Sequence, residues 1–402
     1  MRRSFLALQG TASPFFLRLE SELAKRGHEV RRVNFCGGDF LFTGHERAWN
    51  YTGEVTDLSS WYANILSKNS FTDILLFGDC RAVHRPIHAI APQYGLRVHV
   101  FEEGYVRPHW LTLERHGVNG RSMLARDPAW YLEQRRRTPA SPAGRATGYN
   151  LYERAWHDIR YRAANAIYSA RFPHYKSHRP HNGYTEYKAL AMRFMCERQY
   201  NREATEAISK LLLGNRPYYL FPLQLNSDSQ IQVHSPFSGV CEAIDGVVRS
   251  FAIHAPPDAL LVIKNHPLDT GLINYRRFSH KLARELGIAD RLRFIDAGHL
   301  PTLLDHARGA VVVNSTVGLS ALHHRRPLIA LGTAIYSMPG LTWQGSLDDF
   351  WLHGEEPDMP LYQAFLDYVV HHTQINGDFY TRTGIAMATA GAVQRLEAAA
   401  HA

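Results

Sequence analysis

The sequence predicts an α/β fold: two Rossmann-like domains facing a cleft, with a helical, basic insertion between them. Three observations carry the prediction. Short β-rich runs alternate with helical periodicity over residues 1–127, the strand signal is lost from about Pro128 to Asn201, and it returns with the same alternation from Pro217 onward.

The elements read as follows. Phe5–Gln9 is a first buried strand, Phe15–Arg26 carries apolar residues at helical spacing, and Val30–Phe35 completes a βαβ opening. Asp73–Phe77 and Leu96–Phe101 are further strands, joined by a helix bearing Val83, Ile87 and Ile90. Residues 128–202 are helical, basic and rich in Tyr, Trp and Phe, broken by the Pro- and Gly-containing stretch 138–144. In residues 203–375 the strands are Pro217–Leu223, Ala259–Lys264, Leu292–Ile295, Ala310–Val313 and Leu328–Leu331. Residues 376–402 supply a final helix, from Asp378. In sheets of this kind ligands gather at the carboxyl ends of the strands.

Composition narrows the class. With 402 residues, 45% hydrophobic and 20% charged, the chain is long enough for two domains with separate cores. No apolar run approaches the roughly 20 residues that span a bilayer. The basic start Met1-Arg2-Arg3 is followed by too short an apolar stretch for a signal peptide. Cys36, Cys80, Cys196 and Cys241 have no paired spacing, so neither a disulfide framework nor a zinc site is expected. A reducing cytoplasm fits.

The net charge of +8 is unevenly placed. From Trp130 to Arg202 there are fourteen Lys or Arg against five acids, while the remainder is near neutral. That segment has no recognised nucleic-acid-binding motif, so nucleic acid is not expected as a partner.

Four motifs sit at strand ends. Lys264-Asn265-His266-Pro267 follows an apolar strand and places a histidine able to donate to a phosphate oxygen; a surface histidine before a turn-forming proline reads the same way. Asn314-Ser315-Thr316-Val317-Gly318 opens a helix with two hydroxyls and free backbone N–H groups, an anion site or an ordinary cap. Phe101-Glu102-Glu103-Gly104-Tyr105-Val106-Arg107-Pro108 presents adjacent carboxylates suited to acid/base work and an Arg107 fork suited to a substrate carboxylate, or else a turn with a structural ion pair. Leu223-Gln224-Leu225-Asn226-Ser227-Asp228-Ser229-Gln230 sets a carboxylate among amides and hydroxyls fit for a sugar; Asp228 is read as base, nucleophile or simple helix cap.

Taken with Leu8-Gln9-Gly10, Arg26-Gly27-His28, Phe35-Cys36-Gly37-Gly38-Asp39, Phe77-Gly78-Asp79-Cys80-Arg81 and Asp127-Pro128-Ala129-Trp130-Tyr131, these motifs resemble the KpsS/LipB family of capsule polysaccharide proteins nearly end to end. Cys36 departs from the Asn expected in many relatives. The resemblance implies a GT-B architecture and a retaining β-Kdo transferase, which moves 3-deoxy-D-manno-oct-2-ulosonic acid (Kdo) from CMP-Kdo to a phosphatidylglycerol-type lipid. It also implies that Lys264, His266, Pro267, Asn314, Ser315, Thr316 and Gly318 hold CMP, while Gln9, Gly10, Arg107, Gln224, Asn226 and Gln230 contact sugar or acceptor.

Retention is most simply obtained by two inversions, with Asp228 as nucleophile and Glu103, or Glu102 in its place, as base. No Asp-x-Asp pair occurs, and His84 and His88, four apart, lack a third ligand in the sequence, so no metal or cofactor is expected beyond the CMP-Kdo donor. The basic segment is expected to rest on the anionic inner-membrane surface, making the protein cytoplasmic and peripheral, possessed of a phospholipid acceptor and of capsule-assembly partners. A non-catalytic export or assembly component, and a CMP-sialic acid transferase of the same fold, are the alternatives.

Overall fold

The computed structural model describes residues 2–43, 48–177 and 183–398. Arg179 of the basic segment and the last four residues of the final helix region lie outside them. The chain forms two compact units. The first comprises residues 1–123, 139–178 and 367–402; the second comprises 124–138 and 179–366. The basic segment 128–202 is therefore divided between the units, and the C-terminal residues belong to the first.

The first unit is built on seven strands: β1 (Ser4–Ala7), β2 (Glu29–Asn34), β3 (Ala48–Asn50), β4 (Asp73–Phe77), β5 (Arg97–Glu103), β6 (Trp110–Arg115) and β12 (Gln374–Asn376), in the order β12-β6-β5-β4-β1-β2-β3. The five from β3 to β5 are parallel, in the doubly wound order 3-2-1-4-5. β1, β4 and β5 are buried through most of their length, which explains the apolar runs by which they are legible, since helices cover both faces of such a sheet; β3, at its edge, is only partly buried and carries no such run. Two strands depart from the expected parallel pattern. β6 pairs antiparallel with β5, and β12 antiparallel with β6. Pairing with β6 also extends β5 two residues past its expected end, so that Glu102 and Glu103 are its last residues.

The helix Phe15–Lys25 buries Phe15, Phe16, Leu19 and Leu23 on one face. Phe379, from the C-terminal segment, meets Phe15 edge to face with ring centroids 5.0 Å apart. The helix Arg382–Ala398 buries Ile385, Ala388, Ala392, Val393 and Leu396 in the same core. At the opposite ends of the strands, Asp73 is surrounded by Arg3, Arg97 and His99.

The second unit carries β7 (Tyr218–Pro222), β8 (Leu260–Lys264), β9 (Leu292–Ile295), β10 (Gly309–Val312) and β11 (Leu328–Ala330), all parallel, in the order β11-β10-β7-β8-β9. Counted from its own first strand this is again 3-2-1-4-5. The helix Val240–His254 buries Ile244, Val247, Val248 and Phe251 against the sheet, and Phe350 and Trp351 join the same core, Trp351 meeting Phe251 edge to face at 5.3 Å. Among the described residues no helix is long and apolar enough to cross a membrane.

Candidate functional site

In a 3-2-1-4-5 sheet the crevice for ligands opens where the strand order reverses, at the carboxyl ends of the first and fourth strands. The first unit places Gln9 and Gly10 after β1 and Gly78 to Arg81 after β4. Arg81 Nη1 donates to Gln9 Oε1 at 3.1 Å and to the Gly10 carbonyl at 2.9 Å, bridging the crevice. A side chain at Gly10 would lie 2.6 Å from Phe16 Cγ, which accounts for glycine there.

Gln9 also opens onto a buried carboxylate. Its Nε2 lies 3.1 Å from Asp39 Oδ2, which accepts in addition from Phe35 N at 3.1 Å, while Asp39 Oδ1 accepts from Tyr161 Oη at 2.8 Å. Tyr175 Oη stands 3.4 Å from the same Gln9 amide. Asp39, Arg81, Tyr161 and Tyr175 were not singled out for chemistry by the sequence. Asp39 and Arg81 lie inside the quoted motifs, whereas the two tyrosines are separated from Gln9 by 152 and 166 residues and have no local signal. Cys36 Sγ sits 3.0 Å from Tyr161 Oη. Burial, reinforced by Asp39, pushes its thiol pKa far up, so it is held as an unreactive thiol.

Glu102 and Glu103, adjacent in β5, leave the strand on opposite faces. They are not a coupled carboxylate pair. Glu102 Oε1 accepts from the Glu103 backbone N–H at 2.9 Å. Glu103 Oε1 accepts from Tyr380 Oη at 2.9 Å and lies 3.4 Å from Arg154 Nη1, with the Arg154 guanidinium over the Tyr380 ring at 4.8 Å. Both partners address one oxygen. Burial first, then the Glu103 charge, raises the Tyr380 phenol well above its ordinary value, so it remains a donor. Arg107 is exposed, its Nε donating to the Gly104 carbonyl at 3.2 Å.

In the second unit the reversal falls between β7 and β10, and a glutamine again bridges it. Gln224 Nε2 donates to Asn314 Oδ1 at 3.0 Å, and Asn314 N donates back to Gln224 Oε1 at 3.3 Å. Asn314 Nδ2 ties down the loop after β7 through the Gln230 carbonyl at 2.8 Å. Asn226 Oδ1 accepts from Val240 N at 2.9 Å, covering an otherwise open N–H of the helix Val240–His254. Asp228 Oδ1 accepts from Gln230 N at 2.9 Å, the geometry of a helix start.

Lys264, the last residue of β8, is 6% exposed, and the Asp296 carboxylate is among the charges that act on its ammonium. Desolvation, with Arg193 nearby, lowers its pKa. Arg193 comes from the helix Gly183–Met195 and donates to the carbonyls of Asp296 and His266 at 3.1 and 3.4 Å. His266 Nδ1 accepts from Leu268 N at 3.0 Å, which puts the proton of the neutral ring on Nε2. The exposed Pro267 follows in the turn. After β10, Ser315 Oγ accepts from Val317 N at 3.2 Å, and the Thr316 hydroxyl makes no capping bond to the helix Val317–His323. A Cβ at Gly318 would lie 2.2 Å from Tyr336 Oη, whose hydroxyl donates to the Ser315 carbonyl at 2.5 Å. The strand ends of this unit thus present a buried cation and an N–H donor, a set suited to an anion.

Residues 72–380 match the family described as capsule polysaccharide biosynthesis protein. The chain is 35% identical over 382 residues to the capsule polysaccharide export protein KpsS of Escherichia coli, covering 94% of this chain and 97% of that protein. It is 33% identical over 387 residues to the capsule polysaccharide modification protein LipB of Neisseria meningitidis serogroup B, covering 94% and 92%. Among solved structures it is similar to the KpsC β-Kdo 2,7 transferase of Thermosulfurimonas dismutans, with a TM-score of 0.47 at 14% identity over 98% of this chain and 99% of that chain.

Proposed function

The chain belongs to the family of capsule polysaccharide biosynthesis proteins, and from that premise we propose that it is a glycosyltransferase moving Kdo from CMP-Kdo to a phosphatidylglycerol-type lipid with retention of configuration. The observation that carries the reading is a division of chemistry between two sheets of the same order. Carboxylates collect at the strand ends of the first unit, and a buried lysine with a histidine donor at those of the second.

In the second unit Lys264, His266 Nε2–H, Ser315 and Thr316 neutralise the phosphate as CMP departs with the bonding electron pair. Pro267 and Gly318 shape the two loops, while Asn314 and Gln224 hold them in register. Asp228 carries the sugar between two inversions. In the first unit Glu103 takes the proton of the acceptor hydroxyl on the oxygen that Tyr380 and Arg154 leave open. Glu102 is its substitute in the proposal but is committed to the strand backbone. Gln9, Gly10 and Arg107 contribute to sugar or acceptor contacts, as Asn226 and Gln230 do in the second unit. The scheme needs no metal, and full activity in excess chelator is the expected outcome.

The basic segment attaches the protein peripherally to the cytoplasmic face of the inner membrane, where phospholipid acceptor and other capsule-assembly proteins meet it. The word export in the KpsS name favours a second reading, a non-catalytic assembly component. CMP release from CMP-Kdo in the presence of a phosphatidylglycerol acceptor, with mass spectrometry of the lipid product, decides between them. CMP-sialic acid in the same assay tests the donor.

A further inference from the structure

The helix Leu151–Ile167 has two unlike faces. One packs through Tyr161 and Ala164 onto the short helix Gly37–Leu41, so closely that a Cβ on Gly37 would meet the Ala164 carbonyl at 2.2 Å. The other is directed outward, and it is apolar. Tyr152, Trp156, Ile159, Ala163 and Ile167 recur at three- and four-residue spacing, with Tyr152 79%, Trp156 60%, Ile159 44% and Ile167 74% exposed. A helix whose solvent face is apolar over about 25 Å is the reverse of the ordinary amphipathic pattern.

We propose that this outward face is the surface by which the protein lies on an anionic lipid bilayer. The proposal deepens the membrane attachment given above and rests on it. Two features select lipid as the occupant. Tyr152 and Trp156 are amphipathic rings of the kind that settle at headgroup depth, beside the smaller apolar residues. The surrounding charge is positive: residues 151–177 contain five basic and two acidic side chains, with Arg160, Arg171 and Lys176 exposed around and beyond the stripe, and Asp158 already paired with Arg162 at 2.9 Å. Exposed Arg and Lys draw such a helix to acidic headgroups. A second copy of the same face would oppose like charges.

The test is sedimentation with vesicles of phosphatidylcholine, with and without phosphatidylglycerol. The unmodified chain is expected to sediment with the phosphatidylglycerol vesicles and poorly with phosphatidylcholine alone. The double substitution Trp156→Ser with Ile159→Ser is expected to weaken that association at least tenfold, and Arg160→Glu to reduce the preference for the acidic lipid. Circular dichroism should be unchanged by all three, because these side chains are exposed. Undiminished association of the double variant while the unmodified chain binds would overturn the proposal and leave membrane attachment standing, and so would a dimer in gel filtration that the double variant dissociates. Failure of the unmodified chain to bind either vesicle would remove both. CMP release with a detergent-dispersed acceptor reports on the transferase reading separately from all of these.

Discussion

Tyr380 donates its phenolic hydrogen to Glu103 Oε1 over 2.9 Å, although 277 residues separate the two in the chain. With Arg154 on the same oxygen, the carboxylate is held in one orientation, and in the proposed reaction its second oxygen would take the substrate proton. With Glu103 as the proposed base, Glu103→Gln is expected to lower turnover about a hundredfold. Tyr380→Phe, which loses only the orienting bond, should lower kcat about tenfold, the worth of one hydrogen bond to a charged group, with KM for the CMP-sugar unchanged. Steady-state kinetics separate the two quantities. Equal activity of Glu103→Gln and the unmodified chain, with loss in Glu102→Gln, would exchange the roles.

Lys264 is buried with Arg193 nearby, and the Asp296 carboxylate only partly offsets both effects, so in the proposed function an anionic ligand would complete its neutralisation. Lys264→Met is expected to weaken CMP binding by about 2 kcal/mol, roughly thirtyfold in Kd, by calorimetry. Because desolvation lowers its pKa, the ammonium is lost on the alkaline side earlier than an ordinary lysine at about 10.4, and CMP affinity should fall with it. An affinity independent of pH up to that value would exclude Lys264 from the phosphate.

The cluster around Asp73 makes stability sensitive to acid. Against the desolvation of burial, hydrogen bonds from His99, Arg3 and Thr72 hold the Asp73 carboxyl far below its ordinary range. A depressed carboxyl pKa contributes stability that is present above the unfolded value of about 3.9 and is lost as pH falls toward the native value. Burial lowers the pKa of His99, so its protonation on unfolding adds to the loss below about pH 6.5. Urea denaturation should therefore show stability declining below that pH and steeply below about pH 4. Asp73→Asn, which leaves Arg3 buried without its partner, should cost about 3 kcal/mol at neutral pH.

Gly37→Ala is expected to destabilise the first unit by about 2 kcal/mol, since the added methyl meets backbone rather than a movable side chain. A melting temperature unchanged by the substitution would show that the two helices separate freely.

Most of the strands legible in the sequence are well buried. Asp73–Phe77, buried almost throughout, matches the expected strand to the residue, and so does Leu292–Ile295, an edge strand whose Arg293 is exposed but whose other three residues are apolar and buried. β6, for which no strand is expected from the sequence, alternates apolar and polar residues only over Leu111–Glu114, and β12 is three residues long beside a helix. The strand-end motifs were equally legible, since turn chemistry is local. Their partners were not: nothing near Arg154, Tyr161, Tyr175 or Tyr380 says that it will meet β1, β2 or β5, because those meetings are made by tertiary packing. The choice between Glu102 and Glu103 likewise depended on where β5 ends, which β6 determines.

The first unit takes residues 1–123, then 139–178, and is finished by 367–402. As the chain leaves the ribosome, its β6 edge waits without a neighbour while the whole second unit is being made. Only when β12 emerges is that edge covered, and only a few residues later does Tyr380 reach Glu103. A chain stopped before residue 367 would therefore carry all five strands of the second unit but neither the strand that covers β6 nor the tyrosine that orients Glu103.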